Sequence, residues 1–327
     1  MQYARRRRRL VSGRLVPAVF VLALVASTAR ADDAMQWLAR AAHAARKLDY
    51  TGTIVYQIGP RVESSRVTHL YDDGHEFSKL VNLDGPAREV VRSDGEVRCY
   101  YPDAKLMRIE PGTFRDVFPA LLPEQQQSLS RYYDFRTLGE DRVGGRPVQV
   151  VVFEPKDGLR YGHRFWSDQK TGLLLKARVV NDRGEGVEQF AFSDLAINAP
   201  IDRSMVAPSW SSVPPDWQVQ QNAGGDVVQQ DTGWVVTRIP PGFSKIVEGY
   251  RKLRGRREPV AHLVFSDGLV SISVFVEPLM SSSPPAGVLR QGGLNVYSLR
   301  QDDYLITVMG ETPGATVRQI AHSVVRR

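Results

Sequence analysis

The chain has 327 residues, with 43 lysines and arginines against 36 aspartates and glutamates, a formal charge of +7. The whole excess sits in residues 1–31, which carry Arg5, Arg6, Arg7, Arg8, Arg9, Arg14, Arg30 and no acid, so the rest balances at 36 against 36 and gives no argument for an anionic partner. With 42% hydrophobic and 24% charged residues, disordered, collagen-like and multi-span membrane classes are excluded, and the length exceeds that of one ordinary domain, so two are expected.

Residues 1–31 read as an export signal. The arginines at positions 5 to 9 form a positive start, residues 15–25 (LVPAVFVLALV) form an apolar centre, and Ala29-Arg30-Ala31 gives the small-x-small pattern for cleavage after Ala31. A membrane span needs about 20 apolar residues and Arg14 interrupts this one, which disfavours an uncleaved anchor. The arginine motif fits the twin-arginine route poorly, so the general secretory route is preferred. No cysteine follows the apolar centre, so no lipid anchor is expected. Cys99 is the only cysteine. It cannot form an internal disulfide, and its apolar neighbourhood predicts a buried structural thiol.

Beyond the signal, Asp32 and Asp33 precede a predicted amphipathic helix over 34–47, with Trp37, Leu38, Ala41, Ala42, Ala45 and Leu48 at helical spacing and Arg46 and Lys47 at its end. From Gly52 the period changes to two. Strands are predicted at about 53–58, 65–71, 76–83, 88–91, 97–101 and 106–109, separated by turn signals such as Asp73-Gly74 and Asp84-Gly85-Pro86. Residues 113–131 read as helices with an apolar stripe of Phe114, Val117, Phe118, Leu121 and Leu122. Strands resume at 134–140, 147–154, 161–167, 173–181 and 187–197. Many short strands with few helices and no βαβ alternation predict a barrel or strongly curved sheet.

Residues 198–216 carry Pro200, Pro208, Pro214 and Pro215 and read as an extended linker at which two units reorient. In the smaller unit, 217–327, strands are predicted at 234–239, 260–265, 269–277, 293–300 and 304–310, with Val270, Ile272, Val274 and Val276 on one face. A final helix is expected to be capped by Thr312, with Pro313 at its first position and Val317, Ile320, Ala321 and Val324 as its buried stripe.

Signatures of chemistry are missing. No serine stands between glycines as a nucleophile elbow requires, His75-Glu76 lacks the second histidine of a zinc-binding helix, and Asp72-Asp73-Gly74 lacks the spaced ligands of a calcium loop. No catalytic residue, metal or cofactor is therefore assigned, and the chain is read as a non-enzyme. Two binding features remain. Arg251, Lys252, Arg254, Arg256 and Arg257 put five cations within seven positions, a solvated loop or a surface for an acidic peptide or anionic lipid. Trp37, Leu38, Phe114, Phe118, Leu121 and Leu122 either fill the core or line an apolar cavity between helices and curved sheet that takes an acyl chain.

A family resemblance joins these pieces. It is carried in the first unit by Tyr50-Thr51-Gly52-Thr53, Leu83-Asp84-Gly85-Pro86, Cys99-Tyr100, and Tyr161-Gly162-His163-Arg164-Phe165-Trp166 leading to Thr171-Gly172-Leu173-Leu174. In the second it is carried by Pro241-Gly242-Phe243, His262-Leu263-Val264-Phe265-Ser266-Asp267-Gly268-Leu269, Ser273-Val274-Phe275-Val276-Glu277 and Thr316-Val317-Arg318-Gln319-Ile320-Ala321. In this order and spacing the chain resembles the MucB/RseB family of periplasmic regulators of the sigma-E envelope-stress response.

The resemblance implies an α+β protein. Residues 32–197 would form an incomplete antiparallel β-barrel with covering helices, similar to lipoprotein carriers, and 217–327 a smaller antiparallel sheet with one packed helix. It further implies a periplasmic negative regulator that binds the periplasmic domain of a single-span anti-sigma factor of the RseA/MucA type and shields it from regulated proteolysis. An acyl-chain or lipopolysaccharide ligand would release it. The export signal disfavours nucleic acid as a partner, and assembly into a homo-oligomer is left open. The rival reading is a soluble periplasmic lipid or lipoprotein carrier, which gives no reason for the second unit.

Overall fold

The computed structural model describes residues 19–93, 95–111, 129–221, 227–253, 258–280 and 285–327. Helix α1, Val19–Lys47, buries Ala34, Leu38, Ala41, Ala42 and Ala45 on the single face that their spacing of three and four residues defines. It begins earlier than Asp32 and Asp33 imply, and its first turn carries no acid. The physical reason is that 19–31 is itself rich in alanine and leucine, so nothing stops the helix at 32. Among the described residues no helix is long and apolar enough to cross a membrane.

The first unit is an all-antiparallel pair of meanders. Strands β1 (Tyr50–Ile58), β2 (Arg61–Asp72), β3 (His75–Asn82), β4 (Glu89–Ser93), β5 (Glu96–Tyr101) and β6 (Leu106–Pro111) form the first. The second comprises β7 (Tyr133–Val143), β8 (Arg146–Pro155), β9 (Gly162–Asp168), β10 (Leu174–Val180) and β11 (Gly186–Ile197). Pairing of β1 with β11, from Tyr50 opposite Ile197 to Ile58 opposite Glu188, fuses them. The approach is close. A Cβ on Gly52 would stand 2.4 Å from the carbonyl oxygen of Asp194, so this glycine is imposed by the join. The helices expected over 113–131 lie outside the described residues as far as 128, and Leu129–Arg131 is a 3₁₀ turn.

Curvature follows from what α1 touches. In the sheet order β2-β1-β11-β10-β9-β8-β7, a flat arrangement would part β2 from β7 by about 29 Å, whereas a helix is about 10–12 Å across. Yet α1 packs against β7, β8, β10 and β2 together, so the sheet curls around it. Its free edge at β7 is not joined to the opposite edge. This is the strongly curved sheet the strand pattern predicted, and the incomplete barrel the resemblance implied. Phe135, Phe153 and Phe165 pack in its interior, with ring centroids 4.7 and 5.0 Å apart, together with Leu38 of the helix. Cys99 is buried in β5, as expected.

The proline-rich linker does not hang free. Helix α2 (Arg203–Val206) is capped by Asp202, and Arg203 reaches Asp72 at 2.7 Å. Ser209 donates its N–H to the buried Glu89 at 2.8 Å, Lys79 reaches the carbonyl of Ala207 at 3.0 Å, and Trp210 stacks on Tyr100 with centroids 5.2 Å apart. Strand β12 (Gln218–Gln221) then adds to β6 in parallel and becomes the other edge of the twelve-stranded sheet. Proline and serine spacing signals an extended chain but not the surface on which it lies, so the expected hinge proves to be a strap on the first unit.

The second unit contains β13 (Val228–Gln229), β14 (Trp234–Val236), β15 (Ser244–Arg251), β16 (Val260–Ser266), β17 (Ser271–Pro278), β18 (Gly287–Gln291), β19 (Leu294–Gln301), β20 (Tyr304–Gly310), helix α3 (Gly314–Ala321) and β21 (Val324–Arg326). Seven strands in the order β13-β15-β16-β17-β20-β19-β18 carry α3, and β14 pairs with β21. Ile272 and Val274 are fully buried and Val270 and Val276 nearly so, as the alternation predicted. The sequence reading missed β15, where Gly249 and exposed Ser244, Lys245 and Ile246 blur the alternation, and β18, every residue of which is exposed. Two corrections concern α3. Pro313 rather than Thr312 is its N-cap, Thr312 being wholly buried with its carbonyl accepting from Asn295, and the buried Val324 belongs to β21.

Candidate functional site at the seam between the units

The two units meet along the turn joining β8 to β9. Asp157 and Gly158 make that turn, as their residue types dictate, and it delivers Leu159, Arg160 and Tyr161 into the second unit. The Arg160 side chain is 0% exposed and its Nε lies 2.9 Å from a carboxylate oxygen of Asp267, whose side chain is also 0% exposed. The same oxygen accepts the hydroxyl of Tyr133 at 3.1 Å. Its partner oxygen accepts the N–H groups of Leu269 and Val270 at 3.0 and 2.9 Å. Arg160 also donates to Asp157 and to the carbonyl of Pro241.

The rings of Tyr132 and Phe243 each lie 4.9 Å from the guanidinium carbon. A charge taken wholly from water is tolerated only with such complete partnering. Gly242 has φ +87°, and a Cβ there would stand 2.2 Å from Tyr132, which accounts for glycine in Pro241-Gly242-Phe243. Burial, then the charge of Asp267, pushes the Tyr133 phenol far above its ordinary range, so it stays a donor.

On either side of the ion pair the clasp continues. Thr316 of α3 donates to the carbonyl of Leu159 at 3.0 Å, and Asn295 of β19 donates to the hydroxyl of Tyr161 at 3.0 Å. The Gly292-Gly293 turn sits against Ile58 and Glu188 at the end of the β1–β11 pair. Between the contacts lies a cavity of about 470 Å³, lined by His163, Glu188 and Phe190 of the first unit and Leu269, Leu294 and Met309 of the second. Burial, then the charge of Glu311, pushes the Glu188 carboxyl up to about 7, while burial pushes His163 down to about 4.

The family models match both units: the MucB/RseB N-terminal domain over residues 33–210 and the MucB/RseB C-terminal domain over residues 228–325. The chain belongs to the MucB/RseB family. It is 33% identical over 308 residues to the sigma factor AlgU regulatory protein MucB of Pseudomonas aeruginosa, spanning 90% of this chain and 92% of that one. It superposes with a TM-score of 0.72 on a crystal structure of MucB in complex with MucA(peri), at 31% identity, over 90% of this chain and 99% of that one. On a crystal structure of MucB the TM-score is 0.62, at 30% identity, over 90% and 98%.

Within this MucB/RseB framework the residues singled out from sequence fall in three places. Leu38 is 1% exposed and packed in the first core, and Trp37 beside it is half-buried under the guanidinium of Arg40 at 4.3 Å. Phe114, Phe118, Leu121 and Leu122 lie outside the described residues. Of the basic cluster, Arg251 ends β15 opposite Val260 and Lys252 is exposed in the hairpin that follows, while Arg254, Arg256 and Arg257 lie outside the described residues. Nearby, β15 borders an open groove of about 510 Å³ between Asp231, Ile246 and Arg327. Sequence reasoning missed Arg160, Tyr133 and Asn295 altogether. It registered Asp267 only within the run His262 to Leu269 that carries the family resemblance, with no role of its own.

Proposed function

We propose that this MucB/RseB protein is a periplasmic negative regulator of sigma-E-type signalling. It binds the periplasmic segment of a single-span anti-sigma factor, shields that segment from regulated proteolysis, and is released by lipid-bearing envelope components. The observation that carries the reading is the match along both units to a relative named as a sigma factor regulatory protein, together with that relative's complex with MucA(peri). In this reading residues 1–31 direct export, the curled sheet with Trp37 and the stripe Phe114, Phe118, Leu121 and Leu122 takes acyl chains, and Arg251, Lys252, Arg254, Arg256 and Arg257 border the anti-sigma site.

Lipid release requires that the lipid favour one arrangement of the protein over the one that holds the partner. The test combines residues 32–327 with the periplasmic segment of the single-span anti-sigma protein encoded in the same genome. Co-elution, slower cleavage of the bound segment by the initiating protease, and recovery of cleavage on adding lipopolysaccharide are expected. Absence of binding overturns the reading. Reversal of Arg251 and Lys252 to glutamate is expected to weaken the complex, and unchanged affinity removes the basic hairpin from the site.

A further inference from the structure

The chain itself joins the units only after Gln221, beyond the strap, so their relative orientation is fixed by contacts rather than by the linker. Among those contacts the Arg160–Asp267 pair is the one with two discrete states. Together, the two charges satisfy each other and Tyr133 in a site without solvent; apart, both return to water. An intermediate separation leaves two charges neither paired nor hydrated, so the joint opens fully or not at all.

The pair is also connected to the first unit's interior. Tyr133 opens β7, the strand on which α1 packs, and its ring lies 6.1 Å from that of Phe153 in the core. A change in how α1 and the core fill the curled sheet therefore reaches Asp267 through a single strand. The superposition is closer on MucB with its partner than on the other MucB structure, over equal shares of the chain. Over the whole chain, this structure is thus nearer to the partner-bound relative.

We infer that Arg160 is a positioning residue: through Asp267 and Tyr133 it holds the second unit in the arrangement that grips the anti-sigma segment, and opening of this buried joint is the step that lets the segment go. The inference rests on the function proposed above and assigns its regulation to a site remote from the basic hairpin. If the joint is closed in only a tenth of the molecules, apparent affinity falls tenfold with no partner contact altered.

The experiment uses Arg160→Met and the isosteric Asp267→Asn in residues 32–327, with spin labels on Val62→Cys and Val288→Cys, exposed 55% and 59%, in a Cys99→Ala background. Each variant is expected to add a second population of inter-unit distances and to bind the anti-sigma segment about tenfold more weakly. Val91→Ala, a truncation in the separate small cluster where Tyr100, Met107 and Trp210 pack, is expected to lower thermal stability while leaving both distances and affinity unchanged. A single unaltered distance population in Arg160→Met and Asp267→Asn overturns the inference, whether or not affinity falls. Wild-type protein that does not bind the segment overturns the proposed function instead, and the distance measurement still decides the joint. If Arg160→Met does not fold, Asp267→Asn decides alone.

Discussion

The linker and the seam both connect the two units, and they do so by opposite means. The linker is covalent, yet Ser209, Trp210 and β12 fasten it to the first unit, so it says little about where the second one sits. The seam has no covalent bond across it, yet Arg160, Asn295 and Thr316 reach over it and fix the orientation. Continuity of the chain is thus a poor guide to rigidity. A buried charge with every nitrogen hydrogen-bonded constrains geometry more than a peptide bond that leads into solvent.

Removing the acid should break the comparison most severely. Asp267→Ala leaves Arg160 buried without its carboxylate and is expected to cost about 3–5 kcal/mol in chemical denaturation. Loss of much less would show the pair to be a surface contact in solution. The Ser209 hydroxyl also donates to Glu89, and Ser209→Ala, which removes that hydrogen bond to a buried carboxylate while keeping the N–H one, should cost about 2 kcal/mol. It should also speed proteolysis within 198–221 while leaving inter-unit distances alone; altered distances would restore the linker as the orienting element.

A third change addresses charge at the seam. Glu188 is raised from 4.5 to about 7 by burial and then by Glu311, with the Tyr56 hydroxyl opposing, so the folded chain holds a proton there that the unfolded chain has lost. Its contribution is full below about pH 4.5 and is lost as pH rises toward 7. His163, lowered from 6.5 to about 4, runs the other way: its contribution is present above 6.5 and lost as pH falls toward 4. Glu188→Gln should therefore flatten the decline in melting temperature between pH 5 and 7, and parallel profiles for the two proteins would count against a buried carboxyl. The smallest effect is expected outside the seam. Lys252→Glu in the exposed hairpin should slow association a few-fold in a salt-dependent way with little change in dissociation.

Legibility in the sequence divides along the same line. Most strands of the curled sheet and the buried face of β17 were readable because alternation and turn residues are local signals. β15 was not, since Gly249 must make room for β13: a Cβ there would stand 2.1 Å from the carbonyl oxygen of Val228. Trp210 in the linker gave no hint of Tyr100 as its partner. Arg160 and Asp267 are 107 positions apart; Arg160 follows Gly158 by two residues and Asp267 adjoins Gly268, each in what reads as an ordinary turn. Only the folded chain shows that two turns chosen for their backbone geometry also carry opposite charges to one point.

The pairing of β1 with β11 has a consequence for the order of events during biogenesis. Thr53 donates its N–H to the carboxylate of Asp194, 141 positions away, so the centre of the first sheet cannot be completed until nearly the whole unit is present. Each meander is built from neighbouring hairpins and can form early, whereas their union waits on the closure of a long loop. For a chain threaded through a membrane from its N-terminus, as proposed above, that delay keeps the leading half pliable until Asp194 has emerged.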